Sequence, residues 1–428
     1  MTPRRTHIVG AGVAGLSAAL AVTADGGEAV LYEAAPHPGG RCRTLHPTDG
    51  FDHDNGTHVL FTANGRALDL LRTVGARERW VEPEPKGLPL YDGRTGEMRR
   101  VGLSPWSWLR PSRRPQGLTL PDLMRIMRLV FAAKDCPVAA IIGKRPIMDS
   151  LIEPLTVAVL NTPAEQASAQ RLACALRQLI RPGAGRLLVA RNGLSQDLIE
   201  PAVATLQARG VPVLTGQRLR TLLTVNGRVI GLALSDRTVM LGPDDRMILA
   251  LPPYEVERLL PDLPVPTQFE PILNVHFRME GLEHPRFIGF TGTLAQWVLI
   301  RGNHVSVTVS AADAVVDQNA SDVAARIWRE IAPALRSLGL DADPDRQPET
   351  RVVKEKRATI RQAAETLPQP PLRPLANLAL AGDWIGSLPA TIESAVMAGE
   401  HAASILHHAR GTRATLAKDR ALKTENAA

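Results

Sequence analysis

The sequence predicts an α/β fold that begins with a parallel βαβ unit, and the first residues carry the observations behind this prediction. An apolar strand leads into the glycine turn GAGVAG at residues 10–15. A stretch rich in alanine and leucine follows, and then a second apolar strand that ends in Glu33. Gly10 permits the tight turn, Gly12 lets the backbone approach a pyrophosphate, and Gly15 lets the helix pack close to the strand. This order of strand, turn, helix and strand is typical of a Rossmann-like domain.

The glycine turn and the end of the second strand form the first predicted binding site. The N-terminus of the intervening helix presents free N–H groups to phosphate. Glu33 follows Gly15 by 18 residues, which suits a carboxylate that binds the hydroxyls of an adenosine ribose. The dinucleotide-binding residues predicted in this region are Gly10, Gly12, Val13, Ala14, Gly15, Glu33 and Ala34.

Length and composition predict a large enzyme of the cytoplasm. A chain of 428 residues corresponds to two or three domains of roughly 150 residues each. No apolar run reaches the ~18–20 residues that cross a bilayer. The three cysteines have neither pairing nor metal-ligand spacing, which favours a reducing compartment and predicts no metal site.

The positive charge is concentrated in one segment, within residues 99–131. Between residues 99 and 128 the only acid is Asp122, and Trp106 and Trp108 lie in the same stretch. A helix is predicted to begin at Thr119 or its neighbours, with Leu123, Ile126, Met127 and Val130 on one face. The arginines of the segment are Arg99, Arg100, Arg110, Arg113, Arg114, Arg125 and Arg128.

Two interpretations of this basic segment stay open. Arginines beside tryptophans and an apolar helix face suit the surface of an anionic membrane, which predicts a peripheral protein on the inner face of the cytoplasmic membrane. The alternative is a core helix with a solvated basic rim. Nucleic acid is disfavoured as a partner, because aromatic residues make up 4% of the chain and no recognition motif is present.

The residues after Glu33 favour FAD over NAD. Gly39-Gly40-Arg41 resembles the extended dinucleotide motif of flavin oxidoreductases of the amine oxidase and carotenoid desaturase type. The resemblance implies that Arg41 lies along the cofactor, that Asp383 binds the ribityl chain, and that the next helix points at the flavin. No cysteine or histidine occupies residues 382–393, so the FAD is predicted to be noncovalent. Further FAD-binding residues predicted in this way are Gly40, Arg41, Gly56, Thr57, Val213, Gly382, Asp383, Thr391 and Ile392.

The two ends of the chain must meet at one cofactor, so the cofactor domain is predicted to be discontinuous. We expect an amine oxidase-type flavoprotein in which a Rossmann-like FAD-binding domain carries an inserted α+β substrate domain. The FAD-binding domain comprises residues 1–85, 183–252 and 375–410. The substrate domain comprises residues 86–182 and 253–374, with an antiparallel sheet in residues 272–310, and residues 411–428 form a polar tail.

Two helix starts are predicted from capping signals. Thr162-Pro-Ala-Glu165 reads as a capping box for a helix that continues to about Leu179. Ser195 reads as the N-cap of a helix that ends at Gly210.

Several further short sequence strings narrow the range of predicted substrates. On these strings the chain resembles the bacterial hydroxysqualene dehydroxylases over nearly its whole length. These strings are DNGTH at 54–58, LNTP at 160–163, LPP at 251–253, PILNVHF at 271–277, SAAD at 310–313, EKRAT at 355–359, GDW at 382–384 and LPATIE at 388–393. The resemblance implies reduction of hydroxysqualene, a long-chain isoprenoid, to squalene in hopanoid biosynthesis, with FADH2 as the hydride donor and an electron donor that the sequence leaves open.

Removal of an allylic hydroxyl requires a proton for the departing water, and His58 is the predicted catalytic acid. It follows the Asn-Gly turn expected at the flavin, and imidazole titrates in a useful range. A structural histidine beside the cofactor is the alternative for this residue. For the whole protein, the alternatives are a carotenoid-type desaturase, an amine oxidase, which the small number of tyrosines disfavours, and a non-catalytic prenyl-binding protein.

Overall fold

The computed structural model describes residues 4–279, 282–365 and 367–408. The predicted polar tail at 411–428, and residues 409–410 of the predicted cofactor domain, lie outside the described residues. The helices are α1 (Val13–Ala24), α2 (Gly65–Thr73), α3 (Leu120–Val130), α4 (Val138–Ile142), α5 (Glu153–Leu160), α6 (Ala169–Leu179), α7 (Glu200–Ala208), α8 (Pro253–Leu259), α9 (Ala320–Ser337) and α10 (Ile392–His408).

The strands follow the same numbering along the chain. They are β1 (Arg5–Val9), β2 (Glu28–Tyr32), β3 (Thr44–Leu45), β4 (His53–Asp54), β5 (Val59–Phe61), β6 (Trp80–Val81), β7 (Leu88–Asp92), β8 (Glu97–Val101), β9 (Leu187–Ala190), β10 (Val213–Leu214), β11 (Thr221–Val225), β12 (Arg228–Ala233), β13 (Thr238–Met240), β14 (Arg246–Leu249), β15 (Phe269–Arg278), β16 (Arg286–Thr291), β17 (Trp297–Arg301), β18 (His304–Ser310), β19 (Thr350–Ile360) and β20 (Leu378–Leu380).

A parallel sheet of order β10-β2-β1-β14-β20 carries the predicted cofactor site. Every pairing within it is parallel. The inner residues of its central strands are buried on both faces, as a parallel sheet between helix layers requires, and they are mostly apolar apart from Thr6 and His7. α1 and α10 pack against each other so closely that a methyl group at Gly399 would overlap the carbonyl oxygen of Ala14. This packing brings the last described helix onto the first.

The second large element is a seven-stranded sheet of order β19-β15-β18-β17-β16-β7-β8. Its pairings are antiparallel except for the parallel pair β16 and β7. Alternation along β15 gives the sheet two different faces. Leu273, Val275 and Phe277 join the apolar core under α9, whereas Asn274 and His276 on the opposite face contact the first part of the chain.

A smaller helical core lies beside this sheet, and α3 contributes to it. Thr119 and Asp122 form a capping box at the start of α3. Ile126, Leu129 and Val130 are buried in the core with residues of α4, α5 and α6. The predicted apolar face is therefore wrong in one residue, because Met127 lies on the solvent side of the helix and is 49% exposed.

Both helix starts predicted from capping signals are wrong. The Thr162 hydroxyl donates to Leu160 O and accepts the N–H of Gln362, so residues 163–166 form a turn and α6 begins only at Ala169, capped by Ser168. At the second site a helix does form and ends just before Gly210, but residues 194–199 ahead of α7 are already helical, and Ser195 Oγ accepts the N–H of Thr44 instead of capping the helix. In both places a distant partner competes for the hydroxyl that local spacing assigned to a cap.

The strands of the parallel sheet fall within residues 1–85, 183–252 and 375–410, and those of the seven-stranded sheet within 86–182 and 253–374. The domain boundaries themselves stay predictions.

Candidate active site

The glycine turn after β1 has two crowded positions and one open one. Gly10 has a φ of +100°, and a methyl group there would overlap Ala250 O. A methyl group at Gly15 would overlap Gly10 O. At Gly12, in contrast, an added Cβ would meet no described atom within 4 Å. The space beside Gly12 is what a phosphate group needs in order to approach the backbone N–H groups at the start of α1.

Glu33 lies beside this turn, as its spacing predicted. Its carboxylate accepts the N–H of Ala11 and the N–H of Ala35, both at 2.8 Å, so it holds the turn and the end of β2 together. Ala34 next to it is exposed. Val213 pairs with Leu31 at the edge of the same sheet, two residues before Glu33. The residues predicted to bind the adenosine end therefore lie at the ends of the neighbouring strands β2 and β10.

The second glycine pair rests against the first turn. Gly39 forms a bridge to Gly12, and an added Cβ at Gly40 would lie 3.5 Å from Gly12 Cα. Both residues have positive φ, which a side chain would strain. They direct Arg41 toward the C-terminal return, where its guanidinium donates to Asp383 Oδ1 at 2.7 Å and to Ala358 O at 2.5 Å. The carboxylate of Asp383 raises the pKa of Arg41.

The C-terminal return is closely packed around Gly382. A methyl group at Gly382 would crowd the indole of Trp384, whose Nε1 donates to Leu251 O at 3.0 Å. Thr391 precedes α10, and its N–H donates to Ser394 Oγ at 2.9 Å. Ile392 is buried in the core that α1 and α10 share. The structure thus brings Arg41 to the predicted ribityl-binding acid, across more than 300 residues of chain.

Gly56, Thr57 and His58 follow β4 and lie beside β15 of the seven-stranded sheet. An added Cβ at Gly56 would be 3.2 Å from Asn274 Nδ2, and this amide donates to Asn55 O at 3.4 Å. The Thr57 hydroxyl is buried without a hydrogen-bond partner among the described residues. A buried orphan hydroxyl at this position is what a bound cofactor would satisfy.

His58 is held by its own backbone turn, since its Nδ1 lies 3.1 Å from Gly56 O. Burial lowers the pKa of His58, but the sulfur of Cys42, the carbonyl of Gly56 and the charge of Asp54 outweigh it and raise the pKa to about 9. The imidazole is therefore cationic at neutral pH. Sequence reasoning missed Cys42 as the partner of His58, and its only signal was its place directly after Arg41.

A buried ion pair that sequence reasoning also missed ties this loop to the seven-stranded sheet. Arg301 on β17 donates to Asp54 Oδ2 at 2.6 Å, and both side chains are almost fully buried. Thr44 Oγ1 and the N–H of Leu194 donate to the other carboxylate oxygen. Because the partners are 247 residues apart, no local sequence pattern predicts this ion pair.

Three of the strings that carried the resemblance to one family, those at 160–163, 310–313 and 355–359, meet at Asn161. Its side-chain amide donates to Glu270 O at 3.1 Å and to Thr359 Oγ1 at 3.0 Å, and its Oδ1 accepts the N–H of Ala311 at 2.7 Å. The side chain of Asn161 therefore joins its own segment to three others that are far apart in sequence. Within the described residues no cluster of side chains suited to a metal ion is present, and no helix has the length and hydrophobicity to cross a membrane.

Comparison with known proteins agrees with this geometry. Residues 13–407 match the model of the flavin-containing amine oxidoreductases. The hydroxysqualene dehydroxylase of Zymomonas mobilis subsp. mobilis is 34% identical, with 94% of this chain and 98% of the relative covered. The hydroxysqualene dehydroxylase of Rhodopseudomonas palustris is 35% identical with the same coverage. An oxidoreductase from Methanosarcina mazei has a similar fold, with a TM-score of 0.70, 16% identity, and 93% of this chain and 99% of that chain covered.

The fold and the site define a flavin-dependent oxidoreductase, and the predicted α/β fold class is confirmed. The chain belongs to the flavin-containing amine oxidoreductase family and, within it, to the hydroxysqualene dehydroxylase family.

Proposed function

We propose that the protein reduces hydroxysqualene to squalene, a step of hopanoid biosynthesis, with FAD as its cofactor. The observation that carries the proposal is the similarity to hydroxysqualene dehydroxylases over 94% of the chain. Anaerobic incubation of the reduced protein with hydroxysqualene should yield squalene and oxidised flavin. If the oxidised protein instead desaturates phytoene and the reduced protein leaves hydroxysqualene unchanged, the carotenoid-type alternative replaces this proposal.

The cofactor is proposed to be FAD bound without a covalent link. The open space at Gly12, the pairing of Arg41 with Asp383 and the orphan hydroxyl of Thr57 support this assignment. Acid precipitation should leave FAD in the supernatant, whereas a yellow pellet would contradict noncovalent binding. The proposed binding residues are Gly10, Gly12, Val13, Ala14, Gly15, Glu33, Ala34, Gly40, Arg41, Gly56, Thr57, Val213, Gly382, Asp383, Thr391 and Ile392.

The proposed reaction consumes two electrons and two protons for each allylic alcohol that becomes a hydrocarbon and water. Bound reduced flavin supplies a hydride to the allylic carbon. His58 is proposed as a proton donor beside the flavin, because it stays protonated at neutral pH and lies against Gly56. With His58 replaced by Asn, turnover of hydroxysqualene should fall on the order of 100-fold while flavin content is retained. Unchanged turnover would leave the histidine a structural role.

We also propose that the protein binds the cytoplasmic membrane from its inner face, since a long isoprenoid is nearly insoluble in water. Leu120, Met124, Met127 and Phe131 follow one another at helical spacing along the solvent side of α3. Their exposures are 72%, 58%, 49% and 63%. Trp106 and Leu109 are also exposed, and Arg110 and Arg128 lie among these apolar side chains. An apolar stripe with arginines at its margin suits insertion among anionic headgroups.

A further inference from the structure

Glu270 is a buried acid that is not among the residues proposed to bind FAD. It lies at the start of β15 and is 1% exposed. Arg361 donates to its Oε1, but its Oε2 is buried without a hydrogen-bond donor among the described residues. An unsatisfied buried carboxylate oxygen is costly in a folded protein, so this atom requires either a proton of its own or a bound partner.

The neighbouring carboxylate of Asp313 favours a protonated Glu270. Asp313 is exposed and lies within hydrogen-bonding reach of Glu270, and a hydrogen bond between two carboxyl groups requires that one of them carries a proton. Burial and the neighbouring Asp313 outweigh the opposing charge of Arg361 and raise the pKa of Glu270 to about 7. One proton shared by the pair satisfies both oxygens, as in other carboxyl pairs. Because Asp313 reaches solvent, the pair can be protonated again from water.

The backbone around this pair is held in an unusual conformation. Asn161 and Ala311 have φ of +50° and +47°. Asn161 does so as the C-cap of α5, where asparagine is well tolerated, whereas alanine rarely adopts this conformation. They are hydrogen-bonded to each other, and Asn161 also donates to Glu270 O. Among the described residues the remaining non-glycine with positive φ is Asn226, which lies in a hairpin turn. Local strain of this kind clusters at functional sites, so the strain at Ala311, two residues before Asp313, points to a role beyond packing.

Hydrogen bonds connect the turn that contains Asn161 to the segment proposed to hold the flavin. Gln362 is fully buried; its N–H donates to Thr162 Oγ1 at 3.1 Å and its Nε2 donates to Leu160 O at 2.8 Å. Its Oε1 accepts the N–H of Ala390 at 2.9 Å, directly before Thr391. One buried glutamine therefore links the Asn161 turn to the C-terminal return. Glu270 and the flavin segment belong to one polar network.

We propose that Glu270, paired with Asp313, is the catalytic acid that protonates the hydroxyl group of the substrate as it leaves. The proposal rests on the dehydroxylase function proposed above. Since the hydride carries one of the two protons that the reaction consumes, a single proton remains to be donated, and it is assigned to Glu270 rather than to His58, whose cationic imidazole then stays a charged neighbour of the proposed flavin. The carbon–oxygen bond breaks, the oxygen takes the Glu270 proton and departs as water, and a carbon–hydrogen bond forms with the hydride. The allylic carbon is reduced, the flavin is oxidised, and Glu270 regains its proton from solvent through Asp313.

The test isolates this step in a single turnover. Photoreduced holoenzyme is mixed anaerobically with hydroxysqualene, and reoxidation of the flavin is followed by its absorbance across pH 5.5–9. For the unaltered protein the rate should fall as pH rises through about 7, because the protonated form of Glu270 is the active one. Glu270→Gln keeps an acceptor for Arg361 and a donor for Asp313, yet it should slow reoxidation on the order of 100-fold and abolish the pH dependence near 7.

Two further variants separate a catalytic role from a structural one. Asp313→Asn removes the like charge and should move the pH dependence to lower pH. Glu153→Gln is the matched control: burial also raises the pKa of Glu153, but its carboxylate already accepts the N–H of Ala164, and its rates should equal those of the unaltered protein. Flavin content and thermal melting should stay unchanged throughout the series.

The possible failures can be told apart. If Glu270→Gln reacts as fast as the unaltered protein, or is slower but keeps the same pH dependence, Glu270 is not the acid. If reduced unaltered protein is not reoxidised by hydroxysqualene at any pH, the proposed function fails and the assignment of Glu270 falls with it.

Discussion

Gly12 and Gly15 lie in the same turn but are constrained by different neighbours, which makes them a matched pair. Gly12→Ala should leave the fold intact, because its Cβ would enter open space, and should reduce flavin content strongly because that space is where a phosphate approaches. Gly15→Ala should destabilise the protein by about 1–3 kcal/mol, since its methyl group would overlap Gly10 O. Flavin content and urea unfolding of the flavin-free proteins measure the two effects. Equal loss of stability in both variants would contradict this division.

The pairing of Cys42 with His58 gives a second prediction at the scale of single residues. Cys42→Ala removes the largest influence that raises the pKa of His58, while the burial that lowers it remains. The pKa should therefore fall from about 9 by more than about one unit. Titration of isotope-labelled histidine by NMR measures it, with Cys174→Ala as the control because Cys174 lies on α6. An unchanged titration would mean that Gly56 and Asp54 alone hold the charge.

Helix α3 combines both interpretations that the sequence left open for the basic segment. One face is buried in the core with Ile126 and Leu129, as a core helix requires. The other face exposes a row of large apolar side chains, which a core helix with a solvated rim does not need. Nearly every turn of α3 carries apolar residues on both sides. The spacing of apolar residues in the sequence could therefore not distinguish a core helix from a membrane-binding one.

The exposed stripe of α3 should determine binding to anionic vesicles. Changing Met124 and Met127 to Gln and Phe131 to Ser should reduce co-sedimentation with phosphatidylglycerol liposomes at least tenfold, because it removes the inserted apolar surface. The matched control changes Val225 to Ser and Met240 to Gln, which are similarly exposed but lie in the separate sheet formed by β11, β12 and β13. If the control variant loses as much binding as the stripe variant, α3 is not the docking surface.

The basic residues of the same element should contribute through charge. Each arginine near an anionic surface is worth ~1 kcal/mol. Arg110→Gln with Arg128→Gln should therefore weaken vesicle binding at low salt, and the difference from the unaltered protein should vanish near 1 M salt, where the Debye length is ~3 Å. These two side chains are exposed, whereas Arg114 donates to Trp108 O and so has a structural contact. A difference that persists at high salt would contradict an electrostatic contribution.

At the scale of the whole molecule, three buried histidines join β4 to the seven-stranded sheet. His53 on β4 lies 4.6 Å from His276 on β15, between ring centroids, and His276 lies 6.3 Å from His304 on β18. Burial, together with the positive charge of Arg301, lowers the pKa of His304 to about 4, and burial likewise lowers the pKa of His276 well below its usual range. The rings of His276 and His304 are therefore neutral in the folded protein near neutral pH and gain a proton more readily when it unfolds.

Stability should fall in acid as a result. Between pH 6.5 and about 4 the unfolded chain binds more protons than the folded one, so stability is lost as pH drops through this window. His304 alone should cost roughly 2 kcal/mol at pH 5 relative to pH 7.5. Urea unfolding at both pH values should show a smaller acid loss in His304→Leu than in the unaltered protein, with the exposed His284→Leu as the control. Equal losses in all three proteins would show that other groups govern acid sensitivity.

Local spacing was sufficient to predict the parts of the site that depend on backbone geometry. Gly10, Gly15 and Glu33 lie where the pattern predicted, because a tight turn, a close helix and a strand end impose their requirements within a few residues. Hydroxyl caps were less predictable. Thr162 and Ser195 have good capping sequences, but the N–H groups of Gln362 and Thr44 compete for their oxygens across about 200 and 151 residues.

The sequence by itself determined the cofactor class, the fold class and the family, since these depend on short motifs whose geometry is local. Only the tertiary structure decided which ionisable groups meet: His58 with Cys42, Asp54 with Arg301, and Glu270 with Asp313. Desolvation and charge pairing act through space over a few ångströms, and residues this close in the fold are far apart in the chain. In the sequence alone, an acid with a raised pKa such as Glu270 therefore cannot be distinguished from an ordinary surface acid.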